Sequence, residues 1–269
     1  MHRVLRRLPP GLVRALGRLQ FRYAALRWIS QRLNPRLTEA EGVIARGIGA
    51  GLRFNATGGQ PGYLLGTSEP LEQELLRRHL QPEGVFYDIG ANIGFFSTLA
   101  GRLVAPGGSV WAFEPFPASA QRARANATLN GFAHVTVIEA AVGRESGRMT
   151  LALGRGPTQH RLISDSRGVQ VDVLSIDAWQ RRVGAPAPTL VMIDVEGAEL
   201  DVLEGMMGVL TEQRPLVACE VHWLGDDFHG FVESRLSPLG YVLSSLDGQA
   251  HAGIERWHAL LRPGSAAQA

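Results

Sequence analysis

The chain has 269 residues and a mass of 29.1 kDa, with 45% hydrophobic and 19% charged residues. That length suits one α/β domain, or one domain plus a short appendage, and the composition excludes a disordered, collagenous or coiled-coil chain. Net charge is only +2, but it is unevenly spread: all 27 basic residues are arginine, and nine of them precede Thr38 in a stretch without an acid, leaving 18 against 25 acids.

Those nine (Arg3, Arg6, Arg7, Arg14, Arg18, Arg22, Arg27, Arg32 and Arg36) alternate with Leu12, Leu16, Leu19, Phe21, Leu26, Trp28 and Ile29. Residues 1–37 therefore read as a basic helical arm, punctuated by Pro9-Pro10 and Asn34-Pro35. Such an arm either caps the main domain or makes peripheral contact with an anionic membrane. No apolar run reaches the roughly 18–20 residues that cross a bilayer. The start of the chain is too poor in apolar residues for a signal-peptide core. The single Cys219 excludes an internal disulfide and a cysteine-based zinc cluster. A cytoplasmic location follows as the expectation, at the inner membrane face if the arm binds lipid.

Residues 38–80 read as a lead-in. Eight glycines between Gly42 and Gly66 suggest a small hairpin or meander, and Leu71, Leu75, Leu76 and Leu80 give helical spacing over 69–80. From residue 81 to about 265, strand and helix patterns alternate. Strands are expected at 85–87, 109–113, 134–138, 169–174, 190–193 and 215–221, with helices at 95–104, 118–130 and 198–210. Two last strands, 241–246 and 257–261, flank a turn at Asp247-Gly248. This alternation predicts a mainly parallel, doubly wound sheet with helices on both faces. Residues 154–168 are polar and aperiodic, and read as a loop over the ligand site.

The sharpest motif is Asp88-Ile-Gly90-Ala-Asn92-Ile-Gly94, directly after the first strand of the alternating region. Glycines at that edge allow a tight turn and close backbone approach to a ligand. Asp88 suits a cationic amino group and would repel a pyrophosphate. The next strand ends in Phe113-Glu114-Pro115, where an acid is placed to accept both hydroxyls of a ribose. A ligand with an amino-acid end and a ribose is S-adenosylmethionine.

On these residues the chain resembles the FkbM family of S-adenosylmethionine-dependent methyltransferases. The resemblance runs from about Glu69 to His222 and includes Asn126 to Gly131, Ala140-Ala-Val-Gly143, Ser175-Ile-Asp177 and Ile193-Asp-Val-Glu-Gly-Ala-Glu199. It implies the class I (Rossmann-like) methyltransferase sheet of seven strands, the last antiparallel. It also implies that Asp88, Gly90, Asn92 and Gly94 line the methionine end of the cofactor and Glu114 the ribose. Glu139 and Ala140 would lie near the adenine, and Glu69 matches an acid of the family's lead-in. Glu69 equally reads as an acid favouring a helix dipole.

In the class I order the strands ending at Asp194 and His222 are neighbours, which brings Asp194, Glu196, Glu220 and His222 to one rim. His222 there would be the base for an acceptor hydroxyl, with Asp194 as alternative base or orienting group and Glu196 beside it. The same groups could instead hold a divalent cation. The expected activity is O-methylation of a hydroxyl on a small molecule or a glycan, lipid-linked if the arm binds membrane. The competing readings are a nucleotide-binding oxidoreductase on a similar fold and a cofactor-binding protein without turnover. A nucleic-acid substrate is not expected, because the domain outside the arm is acidic.

Overall fold

A computed structural model describes residues 41–264 except 58, 61, 154–159, 164–167 and 250–255. The basic arm and the helices expected in it lie outside the described residues. The lead-in forms an antiparallel ribbon, β1 (Glu41–Val43) with β2 (Arg53–Asn55), then a helical turn α1 (Gly62–Leu65) and helix α2 (Pro70–His79). Next come β3 (Val85–Ile89), α3 (Phe95–Leu103), β4 (Ser109–Phe113), α4 (Pro117–Leu129) and β5 (Val135–Ile138), in the predicted alternation. The chain then makes β6 (Ala141–Val142), β7 (Gly147–Leu153), β8 (His160–Ile163) and β9 (Val169–Leu174) before returning through α5 (Ile176–Val183) to β10 (Leu190–Ile193). Helices α6 (Glu199–Glu204) and α7 (Met207–Glu212) lead to β11 (Leu216–His222). Helix α8 (Gly225–Phe231) continues into a π turn and a 3-10 turn, and β12 (Tyr241–Ser245) and β13 (Arg256–Pro263) close the chain.

Seven strands form the central sheet in the order β12-β13-β11-β10-β3-β4-β5. β13 runs antiparallel to both its neighbours and every other pair is parallel. Both faces are covered, so the central strands carry near-continuous apolar runs, such as the fully buried Leu190–Ile193. Alternate side chains feed two cores. Phe86, Val110, Leu190 and Met192 pack with Leu76, Leu99 and the lead-in residues Phe54 and Tyr63. On the opposite face Tyr87, Phe113, Val191 and Ile193 pack with Trp179, Val202 and Leu203. Each such side chain contributes about 1.5–3 kcal/mol relative to exposure. The lead-in thus shares a hydrophobic core with the central sheet.

The Asn126–Gly131 motif has a structural role at that junction. Asn126 is fully buried. Its amide donates to the carbonyls of Ile93 (2.8 Å) and Asn55 (3.2 Å), and its Oδ1 accepts from Asn55 N–H at 2.7 Å. Asn130 bonds both the N–H and the carbonyl of Arg53. Two amide side chains, Asn126 on α4 and Asn130 at its C-cap, thereby satisfy β2 backbone groups that have no strand neighbour on that side.

Three expectations need correction. The strand at 169–174 forms, but it joins a separate four-stranded sheet of order β6-β9-β7-β8 and not the central one. Among the described residues no helix intervenes between β5 and β9 to carry a crossover, and β9 buries Val171 and Val173 while exposing Gln170 and Asp172, the signature of a sheet with one wet face. The stretch 154–168 is not a plain loop, because β8 within it pairs antiparallel with β7. The remainder of that stretch, residues 154–159 and 164–167, lies outside the described residues.

The single helix expected over 198–210 is two helices, broken at Gly205. A Cβ at Gly205 would stand 2.0 Å from the Gly143 carbonyl oxygen, so the backbones meet there. The second helix restarts on Asp177, whose carboxylate accepts from Gly208 N–H (2.7 Å) and Val209 N–H (2.9 Å). Ser175 caps α5 and donates to Gly205 O at 2.9 Å. The Ser175–Asp177 motif is therefore a helix-junction device.

Candidate active site

The chain leaves β3 toward β4 and β5, then returns on the other side of β3 as β10. In such a sheet the gap between the first βα turn and the returning strand opens a crevice at the carboxyl edge. A cleft lies there, lined by Asp88, Gly90, Asn92, Glu114, Ala140, Asp194 and Glu196, with Glu69, Tyr63 and Gln60 from the lead-in. Leu151 and Val142 of the small sheet and Arg256 of β13 complete its walls.

The first turn is shaped by backbone constraints. Gly90 N–H and Ala91 N–H both donate to Phe113 O, at 2.9 and 3.0 Å, drawing the turn onto β4. Gly90 has φ 87°, and a Cβ on it would stand 1.8 Å from the Asp194 carbonyl oxygen. Asn92 is also left-handed, at φ 50°. Its N–H donates to Glu114 Oε2 at 2.8 Å, while its own Oδ1 is shut off from bulk solvent without a hydrogen-bond partner. Asp88 is buried and accepts from the Ser97 hydroxyl; burial raises its pKa to about 6 against that hydrogen bond. Glu114 is raised to about 7 by burial, opposed by the N–H groups of Phe116 and Asn92.

This arrangement fits the methionine and ribose ends of S-adenosylmethionine. The orphaned amide oxygen lacks a donor, and the two acids beside it suit a cationic or hydroxyl-bearing ligand. Gly94 does not line the cleft. It starts α3 at φ 78° and lets α4 approach, its would-be Cβ being 2.9 Å from Ala123 Cβ. Ala140 is buried on the cleft wall, but the exposed Glu139 points away and pairs with Arg124 at 3.0 Å. The strand-end alternation puts only one of these two neighbours inside.

The other rim gathers residues from five elements. β10 pairing extends one residue past its end, Asp194 N–H donating to Ile89 O at 2.9 Å, which sets Asp194 beside the Gly90 turn. Glu196 follows at φ 53°. His222 ends β11 almost fully buried, at 1% exposure, with Nδ1 2.7 Å from Glu199 Oε1. Glu199 is itself fully buried and accepts from Gly197 N–H at 2.9 Å. His222 Nε2 has no hydrogen-bond partner. It lies 3.9 Å from Asp194 Oδ1, 3.8 Å from Glu196 Oε2 and 3.8 Å from Glu220 Oε1. Ligand atoms of Asp194, Glu220 and His222 all lie within 4.8 Å of one another, the spacing of a metal-binding group.

Charge is crowded here. The Asp194 side chain is open to the cleft, yet the walls desolvate it, and with Glu220, Glu69 and Glu196 nearby its pKa stands well above the usual carboxylate range. Glu69 occupies the N-cap position just ahead of α2 at φ 46°, and its side chain makes no cap hydrogen bond. Its pKa is raised to about 7, by burial first and then by Glu72 and Glu220. Burial works against Glu220 as well, but Arg256 and His258 outweigh it and lower its pKa. His258 is held by Glu72 at 2.8 Å, which lifts its pKa despite burial. Arg256, His258 and Glu72 carry no motif in the sequence. They come from α2 and β13, far apart in the chain, and only sheet pairing brings them to the rim.

The sheet order, with one antiparallel strand and a carboxylate-lined cleft at the switch point, defines a class I methyltransferase fold. The methyltransferase FkbM domain matches residues 88–243, and the chain belongs to that family. It is 29% identical over 158 residues to hexuronic acid methyltransferase AglP of Haloferax volcanii, which covers 56% of this chain and 62% of that protein. It is 30% identical over 209 residues to the 31-O-demethyl-FK506 methyltransferase FkbM of Streptomyces tacrolimicus, covering 65% and 79%. A crystal structure of methyltransferase FkbM from Methylobacillus flagellatus superposes with a TM-score of 0.47 at 21% identity, over 75% of this chain and 52% of that one. The chain thus spans less than two thirds of the haloarchaeal relative's length. Among the described residues no helix is long and apolar enough to cross a membrane.

Proposed function

We propose that the protein is an S-adenosylmethionine-dependent O-methyltransferase whose acceptor is a hydroxyl of a sugar acid, glycan or polyketide-like small molecule. The observation that carries this reading is the two-ended cleft. At one end Asp88, Asn92 Oδ1 and Glu114 offer acceptors for an ammonium group and a ribose diol. At the other end the carboxylates of Glu69, Asp194 and Glu196 face the same space. Relatives bearing the names hexuronic acid methyltransferase and 31-O-demethyl-FK506 methyltransferase support a hydroxyl acceptor.

In this reading Asp88 would hold the cofactor's ammonium and Glu114 its ribose hydroxyls, with the acidic rim in the same cleft holding the acceptor hydroxyl that the methyl group would be supplied to. The carbon–sulfur bond breaks with its electron pair staying on sulfur, giving S-adenosylhomocysteine, while the carbon–oxygen bond forms. The hydroxyl proton passes to Glu69, whose pKa of about 7 suits proton exchange near neutrality. Asp194 and Glu196 accept hydrogen bonds from the acceptor's other hydroxyls. His222 is too deeply buried to meet the acceptor itself, so its part lies in fixing the rim. Residues 38–80 then act with 81–265 as one catalytic unit, the lead-in contributing Glu69 and Tyr63.

Calorimetric titration with S-adenosylhomocysteine tests the reading. Wild type should bind, Asp88→Asn should bind at least tenfold more weakly, and NADH should not bind. Tight NADH binding with no S-adenosylhomocysteine binding would replace this reading with a nucleotide-dependent oxidoreductase.

A further inference from the structure

We propose that Asp194, Glu220 and His222 Nε2 form a site for a first-row divalent transition-metal ion at the acceptor end of the cleft. This rests on the methyl-transfer reading for its role but not for its geometry. The starting point is the His222 ring. Its Nδ1 is engaged by Glu199 Oε1 at 2.7 Å. That turns the other ring nitrogen, Nε2, toward three carboxylates.

Nε2 is buried without a hydrogen-bond partner, and Asp194, Glu196 and Glu220 stand 3.8–3.9 Å from it. Donor atoms around one ion at about 2.0–2.2 Å each are separated by roughly 3.0–3.5 Å. The spacings from Nε2 to Asp194 and Glu220 therefore need to contract by about 0.3–0.9 Å to ligate a shared ion.

The outer contacts have the form of a supported metal site. Glu199 fixes the His222 ring orientation, as the carboxylate partner of a ligating imidazole does. Glu199 is itself pinned by Gly197 N–H. Glu220 is held by Arg256. Arg256 and His258 offset part of the rim's negative charge, but Glu69, Asp194, Glu196 and Glu220 still outnumber them. One imidazole with carboxylates suits Mn²⁺, Fe²⁺ or Zn²⁺ better than Mg²⁺, which favours an all-oxygen shell. Because Asp194 also lines the cleft, an ion there meets the acceptor oxygen and lowers the pKa of its hydroxyl. The proton then has Glu69, which is outside the ligand set, as its acceptor.

The test uses the full chain stripped with EDTA and titrated with Mn²⁺ and separately with Zn²⁺, each with and without S-adenosylhomocysteine. One ion per chain is expected, with binding weakened at least tenfold in His222→Gln and in Asp194→Asn. Asp194→Asn changes a side chain open to the cleft, so it keeps the experiment informative if the buried His222 variant fails to fold. Glu199→Gln should weaken the ion several-fold as a positioning change, and Glu139→Gln should not alter it. Wild type that takes up neither ion, or an Asp194→Asn variant that binds both as wild type does, overturns the site. The two readings separate cleanly. S-adenosylhomocysteine binding without metal uptake removes the metal site and leaves the methyltransferase. Metal uptake that the two ligand variants abolish, without S-adenosylhomocysteine binding, keeps the metal site and removes the methyltransferase.

Discussion

Glu114→Gln sets two effects against each other and so tests the cofactor end of the cleft closely. The carboxylate accepts from Asn92 N–H and Phe116 N–H, both at 2.8 Å. Glutamine keeps one oxygen, so one buried N–H loses its acceptor, at a cost of about 1–3 kcal/mol. Against this, burial raises the Glu114 pKa from 4.5 to about 7. A raised carboxyl pKa means the native state holds its proton more tightly than the unfolded chain. Its stabilising contribution is therefore complete below pH 4.5 and is lost as pH rises through about 7. At about 1.36 kcal/mol per pKa unit, the loss comes to about 3 kcal/mol.

Glutamine does not titrate. The variant should therefore be less stable than wild type by about 1–3 kcal/mol at pH 5 and equal or more stable at pH 8. Part of wild type's loss falls below pH 5, so between pH 5 and 8 the difference should swing by about 2.5 kcal/mol, or about 5–10 °C at roughly 2–4 °C per kcal/mol. Thermal unfolding of the ligand-free proteins at four pH values between 5 and 8 reads this directly. S-adenosylhomocysteine affinity at pH 8 should meanwhile fall about 10–100-fold, the loss of one charge-assisted bond. A Tm difference that stays constant from pH 5 to 8 would refute the burial argument. Unchanged ligand affinity would refute the ribose role.

Two further substitutions separate structural from binding residues. Asp177→Ala removes the acceptor for two N–H groups at the start of α7, so Tm should drop by about 2–8 °C for a cap worth about 1–2 kcal/mol, with S-adenosylhomocysteine affinity unchanged; an unaltered Tm would refute the capping account. Glu139→Ala removes only an exposed pair with Arg124, worth at most about 1 kcal/mol, and calorimetry should show ligand affinity within about twofold of wild type. A tenfold loss would return Glu139 to the cofactor site.

Much of the molecule is legible along the chain because local chemistry dictates it. The turn at Gly90 needs a left-handed residue without a Cβ, and the apolar runs of β3 and β10 need cover on both faces. These requirements appear as motif and periodicity, and they announce the alternating sheet and the cofactor end of the cleft. The strand 169–174 was legible as a strand, but its membership in the smaller sheet depends on what precedes it in space. Likewise a helix signal across 198–210 does not reveal that Gly205 must meet the Gly143 backbone.

The sequence by itself determined the family, the class of sheet, and Asp88 and Glu114 as acids at the cleft edge of the sheet, because short spacings at strand ends carry that information. Only the tertiary structure decided that Glu139 turns outward, that Glu69 joins the acidic rim, and that Arg256, His258 and Glu72 surround Glu220. It alone buried His222 against Glu199 and left Nε2 facing three carboxylates. The physical reason is that burial and electrostatic coupling at this rim arise between residues distant in the chain, where sheet order and register, not local pattern, set the distances.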